Sequence, residues 1–285
     1  MSGNSDQVWT VLSMLEWATD YFEQKGVDNP RLSIEWLLAH ILDIRRLDLY
    51  LKFDRPLSSD ELDRLRSLVK RRGAHEPLQY ITGSTDFLNC TIQVTKDVLI
   101  PRSETEQLVE LILERHPGTS RVSLLDIGTG SGCIPIAIKK NRPNWYCAGL
   151  DISVKALQIA EQNAGLNDVE LKLFEGDLNH LNSVEDITGQ TWDIIVSNPP
   201  YITESEKKEL DPQVLNYEPE LALFHDRPLE VYSQICEFAS SQNSILYLEC
   251  NDKIADEIKE LTDRFFSKTE LIHDYDQNNR FVVGS

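Results

Sequence analysis

No stretch of this sequence approaches the roughly 20 consecutive apolar residues that a membrane-crossing helix requires, so no membrane association is expected. Cysteine is scarce. The five residues (Cys90, Cys133, Cys147, Cys236 and Cys250) are odd in number, scattered and without a Cys-x-x-Cys pair, which argues against a disulfide framework or a zinc site. The six histidines (His40, His75, His116, His180, His225 and His273) show no His-Glu-x-x-His spacing. Each is assigned to surface or loop, and no metal is expected. The opening residues, Met1-Ser-Gly-Asn-Ser-Asp6, have neither a basic n-region nor an apolar h-region, so no secretion signal is expected. These features together fit a reducing cytoplasm, with the thiols acting as small buried apolar residues.

Positive charge is also in short supply. There are 28 basic against 47 acidic side chains, a net charge of -19. Residues 1–86 hold 11 of the basic and 14 of the acidic residues, which leaves 17 and 33 for the remainder, a net of -16 there. A protein that grips a phosphate backbone usually presents a basic face. The acidic later part of the chain therefore argues against free nucleic acid as the main substrate. The one dense basic run, Lys70-Arg71-Arg72, reads as a solvated helix end with its cations near the C-terminal dipole.

What is present is enough apolar material for a core. Hydrophobic residues make up 41% of 285, which suffices for one large domain or two smaller ones. The first 85 or so residues read as helical. Val8, Val11, Leu12, Leu15, Ala18 and Phe22 form one apolar stripe at helical spacing. Residues 31–42, after Pro30, predict a second helix. The capping-box spacing Ser58-Ser-Asp-Glu61 predicts a third through about Arg72, with Gly73 as its stop. Residues 84–100 change to short β-like runs and suggest a hairpin linker. Further on, strands over 122–127, 145–150, 169–174, 192–197 and 244–248 are interleaved with helices over 153–165, 229–240 and 252–265. Two β-like runs around Leu271 and Phe281 close the chain. Strands alternating with helices predict a doubly wound α/β sheet.

Two motifs carry chemistry. Gly128-Thr129-Gly130-Ser131-Gly132 follows the first of these strands, where glycine permits a sharp turn and close approach of a ligand to the backbone. Asp151 ends the next strand and is placed to accept hydrogen bonds from both ribose hydroxyls of an adenosine. The spacing is Gly-x-Gly-x-Gly rather than Gly-x-Gly-x-x-Gly. Asp126, just before the turn, would repel a pyrophosphate but can orient an ammonium. Adenosylmethionine is therefore favoured over a dinucleotide as ligand. The second motif, Asn198-Pro199-Pro200-Tyr201, is delivered at the carboxyl end of a strand. The Asn198 side-chain oxygen and the Pro199 carbonyl can each accept one hydrogen of a substrate NH2. The prolines restrict the backbone and so aim these acceptors, and Tyr201 can pack on the planar group. The pair favours pyramidalisation of a delocalised nitrogen and in-line methyl transfer, which needs mainly positioning and electrostatics.

Beyond these motifs the chain resembles the peptide chain release factor glutamine methyltransferases of the PrmC/HemK type. The likeness runs over nearly the whole sequence and includes Glu76-Pro-Leu-Gln-Tyr80-Ile-Thr-Gly83, Val98-Leu-Ile-Pro-Arg102-Ser-Glu104-Thr105-Glu106, the glycine loop and Asn-Pro-Pro-Tyr. It continues through Tyr217-Glu-Pro219 with Ala222-Leu223, Leu248-Glu249 and Arg280-Phe-Val-Val. The resemblance implies a helical substrate-recognition domain over 1–83, a β-hairpin linker over 84–100 and a Rossmann-like methyltransferase domain over 101–285. That last domain would be a seven-stranded class I S-adenosylmethionine-dependent fold.

The resemblance further implies methylation of the side-chain amide nitrogen of the glutamine in the Gly-Gly-Gln loop of class 1 release factors; separately, a monomer is expected. It assigns adenosylmethionine to Gly128, Thr129, Gly130, Ser131, Gly132, Asp151, Asp177, Leu178 and Asn198, with Arg102, Glu104 and Thr105 near its methionine end. The glutamine amide falls to Asn198, Pro199, Pro200 and Tyr201. The sequence departs from the family pattern at Ser103, at His225-Asp-Arg-Pro and at Asn251. The alternative reading is an N6-adenine or RNA methyltransferase, which would use the same Asn-Pro-Pro-Tyr.

Overall fold

The computed structural model describes residues 8–118, 120–178 and 185–285, so the readings of residues 1–6 and of His180 lie outside the described residues. The chain forms two compact units. One comprises the described residues up to Gly83 together with Asp211–Tyr217, and the other Ser84–Leu210 with Glu218–Ser285.

The first unit is helical, with α1 (Val11–Lys25), α2 (Pro30–Leu42), α3 (Ser59–Arg72) and α4 (Leu78–Thr82). Local sequence sets the ends of these helices. Thr10 and Ser13 form a reciprocal cap on α1, which stops at Gly26 in the left-handed region, φ 68°. Pro30 opens α2, where its missing N–H has no cost. The capping box expected before α3 is formed, with the Glu61 N–H donating to Ser58 Oγ at 3.2 Å and the Ser58 N–H to Glu61 Oε2 at 2.8 Å. Leu15, Phe22, Ile34, Leu38, Leu49 and Leu65 fill the core. The run Lys70-Arg71-Arg72 is not simply solvated. Arg72 is buried because α3 packs on α2, and its guanidinium donates to Ser33 Oγ, the Glu76 carbonyl and Gln213 Oε1. Gln213 stands in the returning segment of this same unit.

The second unit begins with a hairpin of β1 (Ser84–Phe87) and β2 (Cys90–Gln93), shorter than the 84–100 expected, since residues 94–100 carry no strand. There follow α5 (Ser103–Arg115), β3 (Ser123–Ile127), α6 (Cys133–Asn141), β4 (Tyr146–Asp151), α7 (Val154–Leu166), β5 (Lys172–Glu175), α8 (Glu185–Thr188) and β6 (Ile194–Ser197). Helix α9 (Pro212–Tyr217) belongs to the helical unit. The chain then returns through α10 (Glu220–Leu223), α11 (Pro228–Ser241), β7 (Ile245–Glu249), α12 (Ala255–Thr262), β8 (Thr269–His273) and β9 (Asn279–Gly284). Helix α5 was not anticipated from sequence. It buries Leu108, Val109 and Ile112 along one face.

Seven strands form one sheet in the order β5-β4-β3-β6-β7-β9-β8, with β9 antiparallel to both β7 and β8 and the remaining pairs parallel. The expected α/β class with seven strands in one sheet is borne out. The strand order reverses between β3 and β6, and in open α/β sheets ligands bind outside the carboxyl ends at such a switch point. Ile127 pairs with Ser197 and with Leu150, so the segments after β3, β6 and β4 emerge side by side. Among the described residues no helix is long and apolar enough to cross a membrane.

The hairpin is tied to α7 by two asparagines. Asn163 Oδ1 accepts the Gln93 N–H at 2.7 Å and its Nδ2 donates to the Gln93 carbonyl at 3.0 Å; Asn167 does the same for Thr91. Each side chain thus supplies a donor and an acceptor to a strand edge that would otherwise leave both unmet.

Candidate active site

A cleft of about 430 Å³ opens at the carboxyl ends of β3, β4 and β6. Its size lies within the range of small-molecule sites. Its wall brings together Gly128, Gly130, Asp151, Asp177, Leu178, Asn198, Pro199 and Pro200 from the residues singled out in the sequence. Thr129, Ser131, Gly132, Tyr201, Arg102, Glu104 and Thr105 do not line it.

The glycines adopt conformations that other residues avoid, with φ of 76°, 54° and 77° at Gly128, Gly130 and Gly132. Gly132 also needs its lack of a side chain for packing, since a Cβ there would stand 3.0 Å from Ala160 Cβ. Thr129 turns inward and is buried over Gly149 on β4, where a Cβ would approach Thr129 Oγ1 to 2.7 Å. Nothing in the local sequence marks Gly149 as part of the turn. Asp151 stitches the turn to its own strand end, with Oδ2 accepting the Gly130 N–H and Oδ1 the Ser153 N–H, both at 2.8 Å. Burial raises its carboxyl above the ordinary range, against the lowering effect of these two amides.

Asp126 is fully desolvated, and neither of its carboxylate oxygens has a hydrogen-bond partner among the described residues. Burial pushes its carboxyl up to about 7, against the lowering effect of the adjacent Thr129 hydroxyl and with the nearby Asp151 charge adding to the rise. Asp126 directly precedes the glycine turn but does not line the cleft.

At the end of β6, Asn198 is half-buried on the cleft wall. Its Nδ2 donates to Thr105 Oγ1 at 3.2 Å, and that hydroxyl donates to Glu249 Oε2 at 2.8 Å. The amide therefore keeps Oδ1 as its acceptor for the cleft. Thr105 and Glu249 are both buried, behind Asn198 rather than on the wall. Burial pushes the Glu249 carboxyl up to about 7. Tyr201 is half-buried against the sheet's core, and burial pushes its phenol up to about 12. Arg102 donates to Glu218 Oε1 at 2.5 Å across the chain, and Glu104 takes the Ser103 hydroxyl.

The far wall is made by the chain that returns after α9. The Ile202 N–H donates to the Leu223 carbonyl and the His225 N–H to the Ile202 carbonyl, so Leu221, Ala222, Phe224 and His225 face the cleft near Pro200. His225, assigned to surface or loop from sequence, is a loop residue on the cleft wall, its ring Nδ1 accepting the Arg227 N–H.

Two sequence families match the chain, one described as the PrmC N-terminal domain over residues 13–83 and one as the methyltransferase small domain over residues 103–216. A release factor glutamine methyltransferase of Geobacter sulfurreducens is 44% identical over 217 residues, covering 76% of this chain and 74% of that protein. One from Chlorobaculum tepidum is 36% identical over 284 residues, covering 96% and 97% of the two chains. Among solved structures, the catalytic domain of hMettl16 in complex with a MAT2A 3′UTR hairpin shares the fold, with a TM-score of 0.54 at 17% identity, over 80% of this chain and 82% of that one.

Proposed function

This chain is a methyltransferase that belongs to the release factor glutamine methyltransferase family, and from that premise we propose that it methylates the side-chain amide nitrogen of the glutamine in the Gly-Gly-Gln loop of class 1 release factors, with S-adenosylmethionine as donor. The observation that carries this reading is the juxtaposition of Gly128 and Asn198 at the ends of paired strands, in one cleft with Asp151.

The residues present fit the donor. Gly128 and Gly130 leave open space above the turn, Asp151 keeps lone pairs for two ribose hydroxyls, and Leu178 offers an apolar face for adenine. Asp126, buried just before the turn, would attract the ammonium of the methionine end by its charge. Bound there, adenosylmethionine supplies an electrophilic sulfonium methyl. Asn198 Oδ1 accepts one N–H of the substrate amide and the Pro199 carbonyl accepts the other, which turns the nitrogen lone pair toward the methyl. The N–C bond forms as the S–C bond breaks. The nitrogen, made strongly acidic by alkylation, gives up one proton through these acceptors to water, so no strong base has to wait in the site. Tyr201, with Pro200, packs beside the planar amide. The helical unit serves as the recognition module for the protein substrate. The enzyme acts as a cytoplasmic monomer.

The test is transfer of radiolabel from adenosylmethionine to purified release factor. Label should appear on the factor, vanish when its Gly-Gly-Gln glutamine is replaced, and stay out of RNA and DNA. Asn198→Ala should lower kcat by about a hundredfold or more, as loss of one preorganised hydrogen-bonding group does, while donor affinity is partly retained. Label confined to nucleic acid would overturn the reading in favour of an N6-adenine or RNA methyltransferase.

A further inference from the structure

Resting on the reading of Asn198 as the amide's acceptor, we infer that Thr105 and Glu249 are positioning residues that fix which end of the Asn198 side-chain amide faces the substrate. An asparagine amide is nearly symmetric in shape but opposite in polarity at its two ends. With Oδ1 toward the cleft it accepts from a substrate NH2. Flipped, it would present its own NH2 to that group, donor against donor, and nucleophilic attack would lose its alignment. Packing distinguishes these states poorly, so a hydrogen-bond partner has to.

Thr105 is that partner. A hydroxyl has one proton to give. Here the proton goes to Glu249 Oε2 at 2.8 Å, so the oxygen can only accept from Asn198, and it does so from Nδ2 at 3.2 Å. An ionised Glu249 cannot donate, and this is what sets the direction of the whole relay. If Glu249 carried a proton it would donate to Thr105, the Thr105 proton would turn to Asn198, and the flipped amide would satisfy the same number of hydrogen bonds. The direction of the relay thus depends on one buried carboxyl.

That carboxyl is poised for such dependence. Glu249 is 1% exposed, and desolvation brings it up to about 7. The groups facing it pull in both directions. Arg280 on β9 and Arg102 before α5 favour the charged form, while Glu104 at the start of α5 opposes it. Tyr201, Tyr232 on α11, Cys133 on α6 and Cys250 after β7 stand around it as neutral neighbours, and Tyr232 Oη donates to the Glu249 backbone carbonyl at 2.9 Å.

The test measures methyl transfer to release factor, kcat and KM separately, across pH 5.5 to 9, with S-adenosylhomocysteine affinity by calorimetry. Wild-type kcat should rise with pH through about 7 as Glu249 becomes acceptor-only. Thr105→Val, matched in shape, should lower kcat by roughly ten- to a hundredfold, the usual effect of losing an orienting outer partner. Its S-adenosylhomocysteine affinity should change little, while its melting temperature falls, because Glu249 Oε2 and Asn198 Nδ2 both lose their partner. Thr105→Ser should restore most of the rate. Glu249→Gln should lose the rise near pH 7. Wild-type turnover with an undiminished Thr105→Val rate, or a Glu249→Gln profile that keeps the rise, would overturn this inference alone. A wild-type enzyme that leaves the glutamine unlabelled would instead overturn the reading of the site, and this inference with it.

Discussion

Asp151 holds the Gly130 N–H on Oδ2 at 2.8 Å, so the acid that faces the cleft also fixes the backbone of the neighbouring glycine turn. The same carboxylate takes the Ser153 N–H on its other oxygen. Replacement should therefore weaken the donor site in two ways, by removing acceptors for the ribose and by loosening the turn. Asp151→Ala is expected to lower S-adenosylhomocysteine affinity about ten- to a hundredfold, the effect of losing a charged hydrogen bond. Asp151→Asn should also bind less well, because its NH2 would oppose one of the two backbone N–H groups. Calorimetric titration at neutral pH reads both, and an unchanged affinity would remove Asp151 from the site.

Gly130 and Gly132 separate two reasons for glycine. Both have positive φ, 54° and 77°, but only Gly132 is crowded, by Ala160 and Ile136. Gly130→Ala should cost only the backbone strain of a left-handed alanine, about 1–2 kcal/mol. Gly132→Ala adds overpacking between α6 and α7 and should cost about 2–5 kcal/mol in all. Urea denaturation of the two variants checks the order. Equal losses would mean that the contacts of Gly132 relax without penalty.

Asn163 is buried and makes three hydrogen bonds at once, to the Gln93 N–H, the Gln93 carbonyl and the Ser131 carbonyl in the glycine loop. Truncation to alanine leaves three backbone groups without partners. Two or more unmet buried groups should cost about 2–5 kcal/mol, far more than an exposed helix asparagine would. Hydrogen exchange should show faster exchange at Gln93 first. Loss of global stability without faster exchange there would refute the local account.

The parts of the site that were legible in sequence are those whose meaning is local. A glycine turn after an apolar strand, an acid ending the next strand and Pro-Pro after an asparagine each constrain the backbone within a few residues, and the structure brings Gly128, Asp151 and Asn198 into one cleft. The polar links were not legible, because they join residues remote in sequence. Thr105 meets Asn198 across 93 positions and Glu249 across 144. Nothing near Thr105 announces either partner, and its place in Pro-Arg-Ser-Glu-Thr suggested contact with the donor rather than a position behind Asn198. Arg72 shows the same limit. Its neighbours Lys70 and Arg71 are what a solvated helix end would show, and only the packing of α3 on α2 turns the third cation inward. The alternation of strands and helices revealed the sheet because burial imposes its period on every element. Helix α5 escaped because its first residues, Ser103-Glu-Thr105, were read for their chemistry instead.

The buried acid at Asp126 should leave its mark on stability. Its carboxyl is raised to about 7 from the ordinary 3.8, so between these limits the folded protein holds a proton that the unfolded chain has lost. Stability then falls as pH rises through that window, and above about 7 the full penalty of a desolvated charge remains. Three units correspond to roughly 4 kcal/mol, an order-of-magnitude figure. Glu249 acts with the same sign between 4.5 and about 7. Acids paired near the surface act oppositely. Glu61, lowered to about 2 beside Arg55, loses its contribution only in strong acid, outside this range. The wild-type melting temperature should therefore drop between pH 5 and pH 8, and Asp126→Asn, which cannot ionise, should drop clearly less. The variant should gain on the wild type at pH 8, where the wild-type carboxylate is charged and desolvated. A cationic ligand near Asp126 should shrink that gain, since it supplies an opposite charge. Saturating S-adenosylhomocysteine, whose amino acid end carries an ammonium, should thus raise the melting temperature of the wild type at pH 8 more than that of Asp126→Asn. Parallel pH dependence in the two proteins, with equal shifts on ligand addition, would show that Asp126 neither titrates in this window nor meets the ligand's charge.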